Sequence, residues 1–146
     1  MIHVKDTNAS KAFYEATLAP LGYKLILTTA CGDTPVYAFG ARFPNFWLAP
    51  GSKDKSTSQQ THVAFSAKTR AEVDAWYEAG IKAGGKDNGK PGLRSYHKFY
   101  YGAYLYDPDG YNLECVTHLP PFVAYAITYS PLVCASVGMR LSGLRD

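Results

Sequence analysis

His62 and Glu114 are the residues whose type and setting best suit chemistry. His62 opens the segment HVAFS, where alternation places it on one face with Ala64 and Ser66 and turns Val63 and Phe65 to the other. Two small neighbours leave room for a ligand beside the imidazole. Glu114 shares a strand face with Asn112 and Val116, while Leu113 and Cys115 point toward a core. A carboxylate in the middle of an apolar strand is costly to bury without a cation or a hydrogen-bond donor. His62 and Glu114 therefore form the best candidate metal-ligand pair. His3 is the candidate third ligand. Two histidines and one carboxylate would suit Fe(II), Zn, Ni or Mn and leave positions open for substrate. Each residue also has a plainer role: His62 as a hydrogen-bonded core histidine, Glu114 as the partner of a Lys or Arg across the sheet, and His3 as a terminal residue.

Aromatic residues crowd the second half of the chain. Tyr96, Tyr100, Tyr101, Tyr104, Tyr106 and Tyr111 lie within sixteen positions. Tyr101 and Tyr104, together with Trp47, are candidates for the wall of a substrate pocket, with phenolic donors for an oxygenated or aromatic molecule. Ordinary sheet packing is the alternative, because aromatic residues favour strands. His97 stands in a polar loop just before this aromatic run, as a candidate acid or base at a cavity mouth or as a solvated loop residue.

The elements that must position these residues are short. Met1 to Lys5 is a strand candidate, Asp6 or Thr7 can cap a helix running to about Gly22, and Pro20 breaks its last turn. Residues 23–29 (YKLILTT), VYAFGARF and NFWLA read as strands, with CGDTP as a turn. Residues 51–60 form the clearest linker, being polar throughout. THVAFSA is the next strand. Thr69 and Glu72 form a capping box before the helix RAEVDAWYEAGIKAGG. DNGKPGLRSYHK reads as loop, YYGAYLY as a strand, DPDG as a tight turn and YNLECVTH as the last strand. In the turn, Gly110 supplies backbone freedom and Asp107 local hydrogen bonds.

The halves repeat. Phe13-Tyr14-Glu15-Ala16 and Trp76-Tyr77-Glu78-Ala79 open stretches of equal length that end at Gly22 and Gly85, and both follow a His-Val pair. This pattern predicts an α+β fold of two βαβββ modules, about 1–50 and 61–118. The spacing is unequal, however. Fourteen positions separate His62 from Trp76, and ten separate His3 from Phe13, so His3 falls four residues further along its strand than His62 does.

FYEATLAPLGY, NFWLAPG, THVAF and above all YYGAYLYDPDGYNLECVTH resemble the vicinal oxygen chelate superfamily of glyoxalases, bleomycin-resistance proteins and extradiol dioxygenases. The resemblance spans roughly residues 1–118 and implies paired βαβββ modules with sheets curled around a central cavity. In its metal-binding members, ligands come from the first and fourth strands of each module, typically two His and two carboxylates. His62 and Glu114 match the second-module positions. Pairing Asn45-Phe46-Trp47 with Asn112-Leu113-Glu114 puts Trp47, which cannot ligate a metal, where a first-module carboxylate would sit.

Two functions follow as expectations. One is a divalent-metal-dependent enzyme using Zn, Ni, Mn or Fe on His62, Glu114 and His3. Such an enzyme would be an isomerase or lyase that polarises substrate oxygens, or less readily an extradiol dioxygenase with His97 as acid/base residue. The other is a metal-free protein that binds or sequesters a small molecule, as bleomycin-resistance members do. The resemblance also permits a homodimer.

The 146 residues carry 47% hydrophobic and 18% charged side chains, which excludes a wholly disordered chain. A net charge of +3, dispersed along the chain, does not argue for nucleic acid binding. Cys31, Cys115 and Cys134 lack disulfide-framework or zinc spacing, Cys115 reads as a core residue, and the N-terminus lacks a signal-peptide pattern. The expected location is therefore the reducing cytoplasm. Residues 119–146 are an extension of unassigned role. Its uncharged stretch 119–139 has the length of a bilayer span, but Pro131 at its middle argues against one continuous helix.

Overall fold

A computed structural model describes residues 1–51 and 61–120. Most of the expected linker and the C-terminal extension from 121 onward lie outside the described residues.

The first half contains β1 (Ile2–Val4), α1 (Thr7–Leu18), a 3-10 turn (Ala19–Leu21), β2 (Lys24–Cys31), β3 (Thr34–Gly40) and β4 (Phe46–Pro50). The second contains β5 (His62–Ser66), α2 (Arg70–Lys82), β6 (Lys86–Leu93), β7 (Tyr101–Tyr106) and β8 (Asn112–Thr117). Two four-stranded sheets result, with orders β1-β4-β3-β2 and β5-β8-β7-β6. The topology of one sheet repeats that of the other, as the sequence repeat predicts. In each, the first strand runs parallel to the fourth and the remaining pairs are antiparallel.

Both helices begin at side-chain caps. Asp6 Oδ1 accepts from the amides of Asn8 and Ala9. Thr69 Oγ1 accepts from the Glu72 amide, and Glu72 reaches back to the Lys68 amide. Pro20 and left-handed Gly22 (φ 75°) end the first helical segment in a 3-10 turn. The repeated aromatic positions carry the core. Phe13 and Tyr14 of α1 and Trp76 of α2 are fully buried with Leu48, Leu105 and Leu113 in one cluster spanning both halves. Phe46 and Phe65, from different sheets, meet edge to face at 5.2 Å.

One element differs from expectation. The segment from Lys86 to Leu93 is a strand, β6, although much of it reads as a Gly/Pro-rich loop. It is an edge strand, paired only with β7, and its register shifts twice, around Gly89. An edge position with bulges is where a sheet tolerates Pro91 and glycines.

Candidate functional site

The strand register explains how the candidate residues come together. On β8, Asn112 lies opposite His62 and Tyr106, and Glu114 lies opposite Ala64 and Tyr104. These residues share the sheet face that points away from α2. Leu105, Leu113 and Cys115 lie on the buried opposite face. Burial pushes the Cys115 thiol well above its usual range, so Cys115 is an inert core residue.

Glu114 is buried, yet both its oxygens are satisfied. His62 Nε2–H donates to Oε2 at 2.8 Å, and the Tyr100 hydroxyl donates to Oε1. The other His62 nitrogen, Nδ1, accepts from Asn112 Nδ2 at 2.9 Å, and Asn112 Oδ1 accepts from Asn88 Nδ2 at 2.9 Å. One neutral His62 tautomer therefore satisfies the whole chain Asn88–Asn112–His62–Glu114–Tyr100. This accounts for a carboxylate within an apolar strand: donors replace the water it has lost. The His62 side chain remains 44% exposed, so the pair stands at an accessible edge.

Burial is the main cause that holds the Tyr100 phenol well above its ordinary range; its bond to Glu114 and the carboxylate charge add to it. Tyr104 is raised for related reasons, with burial first and the Glu114 charge second. Both therefore remain neutral at physiological pH and able to donate.

Three sequence candidates stand elsewhere. His3 is on β1, exposed, and its Nδ1–H donates to the Pro50 carbonyl at 3.1 Å. It lies opposite Ala49, two residues after Trp47, whereas His62 lies opposite Asn112, two residues before Glu114. Its counterpart in the second sheet is thus Ser66, opposite Val116, rather than His62. Tyr101 stands apart from Tyr104. It lies on the helix-facing side, where its hydroxyl donates to Asp74 of α2 at 2.8 Å and Arg70 stacks on its ring. Alternation is the cause: Tyr101 and Tyr104 are three positions apart and must face opposite ways. His97 does not reach Glu114. Its Nδ1 accepts from the Phe99 amide, its Nε2 lies 2.9 Å from His118 Nδ1, and its ring packs against Tyr100.

Trp47 is half-buried on the face of β4 away from the core and pairs with Ala38 as Glu114 pairs with Tyr104. Among the described residues, no group of three His, Cys, Asp or Glu side chains is arranged to hold a metal ion. Among the described residues, the donors brought together on the open face are His62 and Glu114. Two donors, each already engaged, do not fit the three or four ligands of a resident divalent ion.

Sequence reasoning missed Tyr100, which lies just before β7, where strand alternation does not fix its direction. The described residues also form a cleft of about 480 Å3 lined by Lys5, Lys86, Tyr106 and the turn Asp107–Gly110; the sequence-predicted site residues do not line it. No helix among them is long and apolar enough to cross a membrane.

The family model for the Glyoxalase/Bleomycin resistance protein/Dioxygenase superfamily matches residues 1–115. The chain is similar to the crystal structure of a glyoxalase/bleomycin resistance protein from Albidiferax ferrireducens T118, with 28% identity and a TM-score of 0.66 over 80% of this chain and 92% of that one. It shares the fold of the fosfomycin resistance protein FosX from Listeria monocytogenes, with 20% identity and a TM-score of 0.57 over 79% and 86% of the two chains. It also shares the fold of TioX from Micromonospora sp. ML1, with 12% identity and a TM-score of 0.56 over 79% and 90%. No curated protein matches. With four-fifths of its length matched by the family model and its two sheets alike in topology, the chain belongs to the glyoxalase/bleomycin resistance protein/dioxygenase superfamily.

Proposed function

We propose that this protein binds a small organic molecule against the open face of the second sheet, without a resident metal ion. The observation that carries this reading is that the described residues bring together no group of three metal donors, and that the His62–Glu114 pair is already hydrogen-bonded at both oxygens and both ring nitrogens. A general base needs a free lone pair within reach of a substrate proton, and a metal ligand needs one directed at the ion. Here His62 Nδ1 is engaged by Asn112 and one acceptor site on each Glu114 oxygen is occupied, so the pair serves to hold the wall of the site together. Trp47 at the first-sheet counterpart of Glu114 supports the same reading, because it replaces a charge with apolar area. His62, Tyr100 and Tyr104 would then give the ligand a polar, hydrogen-bonding surface. Relatives named for bleomycin and fosfomycin resistance make sequestration or modification of a toxic small molecule a reasonable setting.

A metal-dependent isomerase or lyase is the second reading, favoured by the adjacency of His62 Nε2 and Glu114 Oε2. The deciding experiment measures metal in protein purified without added metal or chelator, beside Glu114→Ala. Sub-stoichiometric metal in both, and ligand binding indifferent to chelator, support the binding reading. Near-stoichiometric Zn, Ni, Mn or Fe that disappears in Glu114→Ala overturns it in favour of the enzyme.

The reducing cytoplasm and a homodimer remain proposals of the same kind. The first rests on cysteine usage and the second on the paired modules.

A further inference from the structure

Arg94 is a half-buried cation without a counter-ion among the described residues. Its guanidinium is nonetheless held firmly. Nη2 donates to the Lys90 carbonyl at 2.6 Å and the Gly102 carbonyl at 3.0 Å, and the group lies over the Tyr104 ring with Cζ 5.2 Å from the centroid. Neither Nη1 nor Nε has a hydrogen-bond partner among the described residues, and Nε is fully buried. The site is shaped around this group. A Cβ at Gly89 would come within 3.0 Å of Tyr104 and 3.5 Å of Arg94 Nη2, and one at Gly92 within 3.4 Å of Nη1. Gly102, whose carbonyl holds the guanidinium, has Glu114 Oε1 3.4 Å from where its own Cβ would be. Arg94, Tyr104 and Glu114 are thus neighbours on one sheet face.

Arg70 provides the internal contrast. It stacks on Tyr101 on the helix-facing side and, like Arg94, has a buried Nε without a partner and no ion pair among the described residues, but the Tyr101 hydroxyl there donates to Asp74, which brings an acid into the same cluster. Arg94 has only neutral carbonyls and a ring. Carbonyls and an aromatic face orient a guanidinium without neutralising it. A fixed cation with unspent donors, in a partly desolvated setting, suits an oxyanion, because charge-assisted bonds are stronger there than in water.

We propose that Arg94 receives an oxyanion of the bound molecule, a carboxylate or a phosphonate, through Nη1, and so selects anionic ligands. This rests on the small-molecule reading of the same face. The ligand's remainder would lie over Tyr104 toward His62, whose ring centroid is 6.4 Å from that of Tyr104. Glu114 keeps its charge, because its donors His62 and Tyr100 are neutral, so Arg94 must hold the anion against that repulsion.

The test titrates the full chain with benzoate, phenylphosphonate, neutral benzamide and inorganic phosphate, following amide and Tyr104 ring resonances by NMR. The wild type should bind one of the two aromatic anions about tenfold or more tighter than benzamide, the scale of one hydrogen bond to a charged group. Comparing benzoate with phenylphosphonate identifies the preferred oxyanion. Arg94→Gln should erase that preference while keeping benzamide binding, and Arg94→Lys should restore part of it. If Arg94→Gln fails to fold, by circular dichroism, Arg94→Lys decides: weakened anion binding with unchanged benzamide binding supports the proposal, and unchanged anion binding overturns it. Benzamide binding as tight as the anions, or anion preference surviving in folded Arg94→Gln, overturns the proposal but keeps the small-molecule reading. Inorganic phosphate binding at Arg94 with no aromatic bound sinks that reading and keeps the anion site. No binding of any probe overturns both.

Discussion

Trp47 occupies, in the first sheet, the register position that Glu114 holds in the second. Trp47 pairs with Ala38 of the neighbouring strand, and Glu114 pairs with Tyr104. Two modules of one topology have therefore diverged at corresponding points. One carries a polar network and the other a large apolar surface. The consequence is an asymmetric protein in which the polar chemistry belongs to the second half.

Trp47 should report directly on its surroundings. Trp76 is fully buried and Trp47 half-buried, so solvent quenchers should reach only Trp47. Acrylamide should quench one part of the emission in the wild type and very little in Trp47→Phe. If a bound molecule covers Trp47, it should protect that part; equal quenching with and without ligand would place the ligand away from the first sheet.

Tyr100→Phe removes the donor to Glu114 Oε1 and leaves a buried carboxylate oxygen without a partner. The expected loss is about 1–3 kcal/mol in denaturant unfolding, since the ring remains and only the hydrogen bond goes. A loss below about 0.5 kcal/mol would mean that water takes the place of the hydroxyl.

The halves are joined at a polar contact as well as by apolar packing. Tyr14 of α1 donates to Asp107 Oδ2 at 2.7 Å, while Asp107 Oδ1 accepts from the amides of Asp109 and Tyr111. Tyr14→Phe should therefore cost about 1–3 kcal/mol by thermal or denaturant unfolding. A neutral effect would show that the contact adds nothing to the packing of the two halves.

Asp107 gives that contact a pH dependence. Burial raises its carboxyl above the ordinary value, and the Tyr14 and backbone bonds only partly oppose this. A raised folded value means that the native state holds the proton more tightly than the unfolded chain. The associated stability is present below the unfolded value and is lost as pH rises through the folded one, a window beginning near the ordinary carboxyl value of 3.8. Asp107→Asn should flatten that part of the stability profile. An identical profile would remove Asp107 as its source.

At alkaline pH the tyrosines act together. Tyr14, Tyr100, Tyr101, Tyr104 and Tyr111 are all raised, with burial the largest cause in each. Their contribution is complete below the ordinary value of 10.0 and is lost as pH climbs toward their raised folded values. Unfolding free energy should fall steeply above that point, and Tyr100→Phe should make the fall shallower. Tyrosinate absorbance that appears for all twelve tyrosines before unfolding would contradict this.

Much of the fold is legible in the chain because its signals are local and repeated. Asp6 and Thr69 announce helix starts, Gly22 an end, and the aromatic repeats at Phe13 and Trp76 the buried faces. Alternation alone separates His62, Ala64 and Ser66 from Val63 and Phe65. The ten-position and fourteen-position spacings already displace His3 by four residues from the His62 pattern, and the strand register has that same offset. β6 escaped because glycine and proline weaken a strand's own signature, and its place at the sheet edge comes from pairing with β7.

The sequence by itself determined the elements other than β6, the repeat, the family resemblance and the shared strand faces, because these depend on side-chain period and on caps within a few residues. Tertiary structure alone decided that Asn112 faces His62 and that Tyr100 turns onto Glu114. It also decided that Tyr101 belongs to α2, that Arg94 lies over Tyr104 and that Tyr14 finds Asp107. Those partners are up to 93 residues apart. Their pairing depends on strand register and on the packing of whole elements, which no local preference encodes.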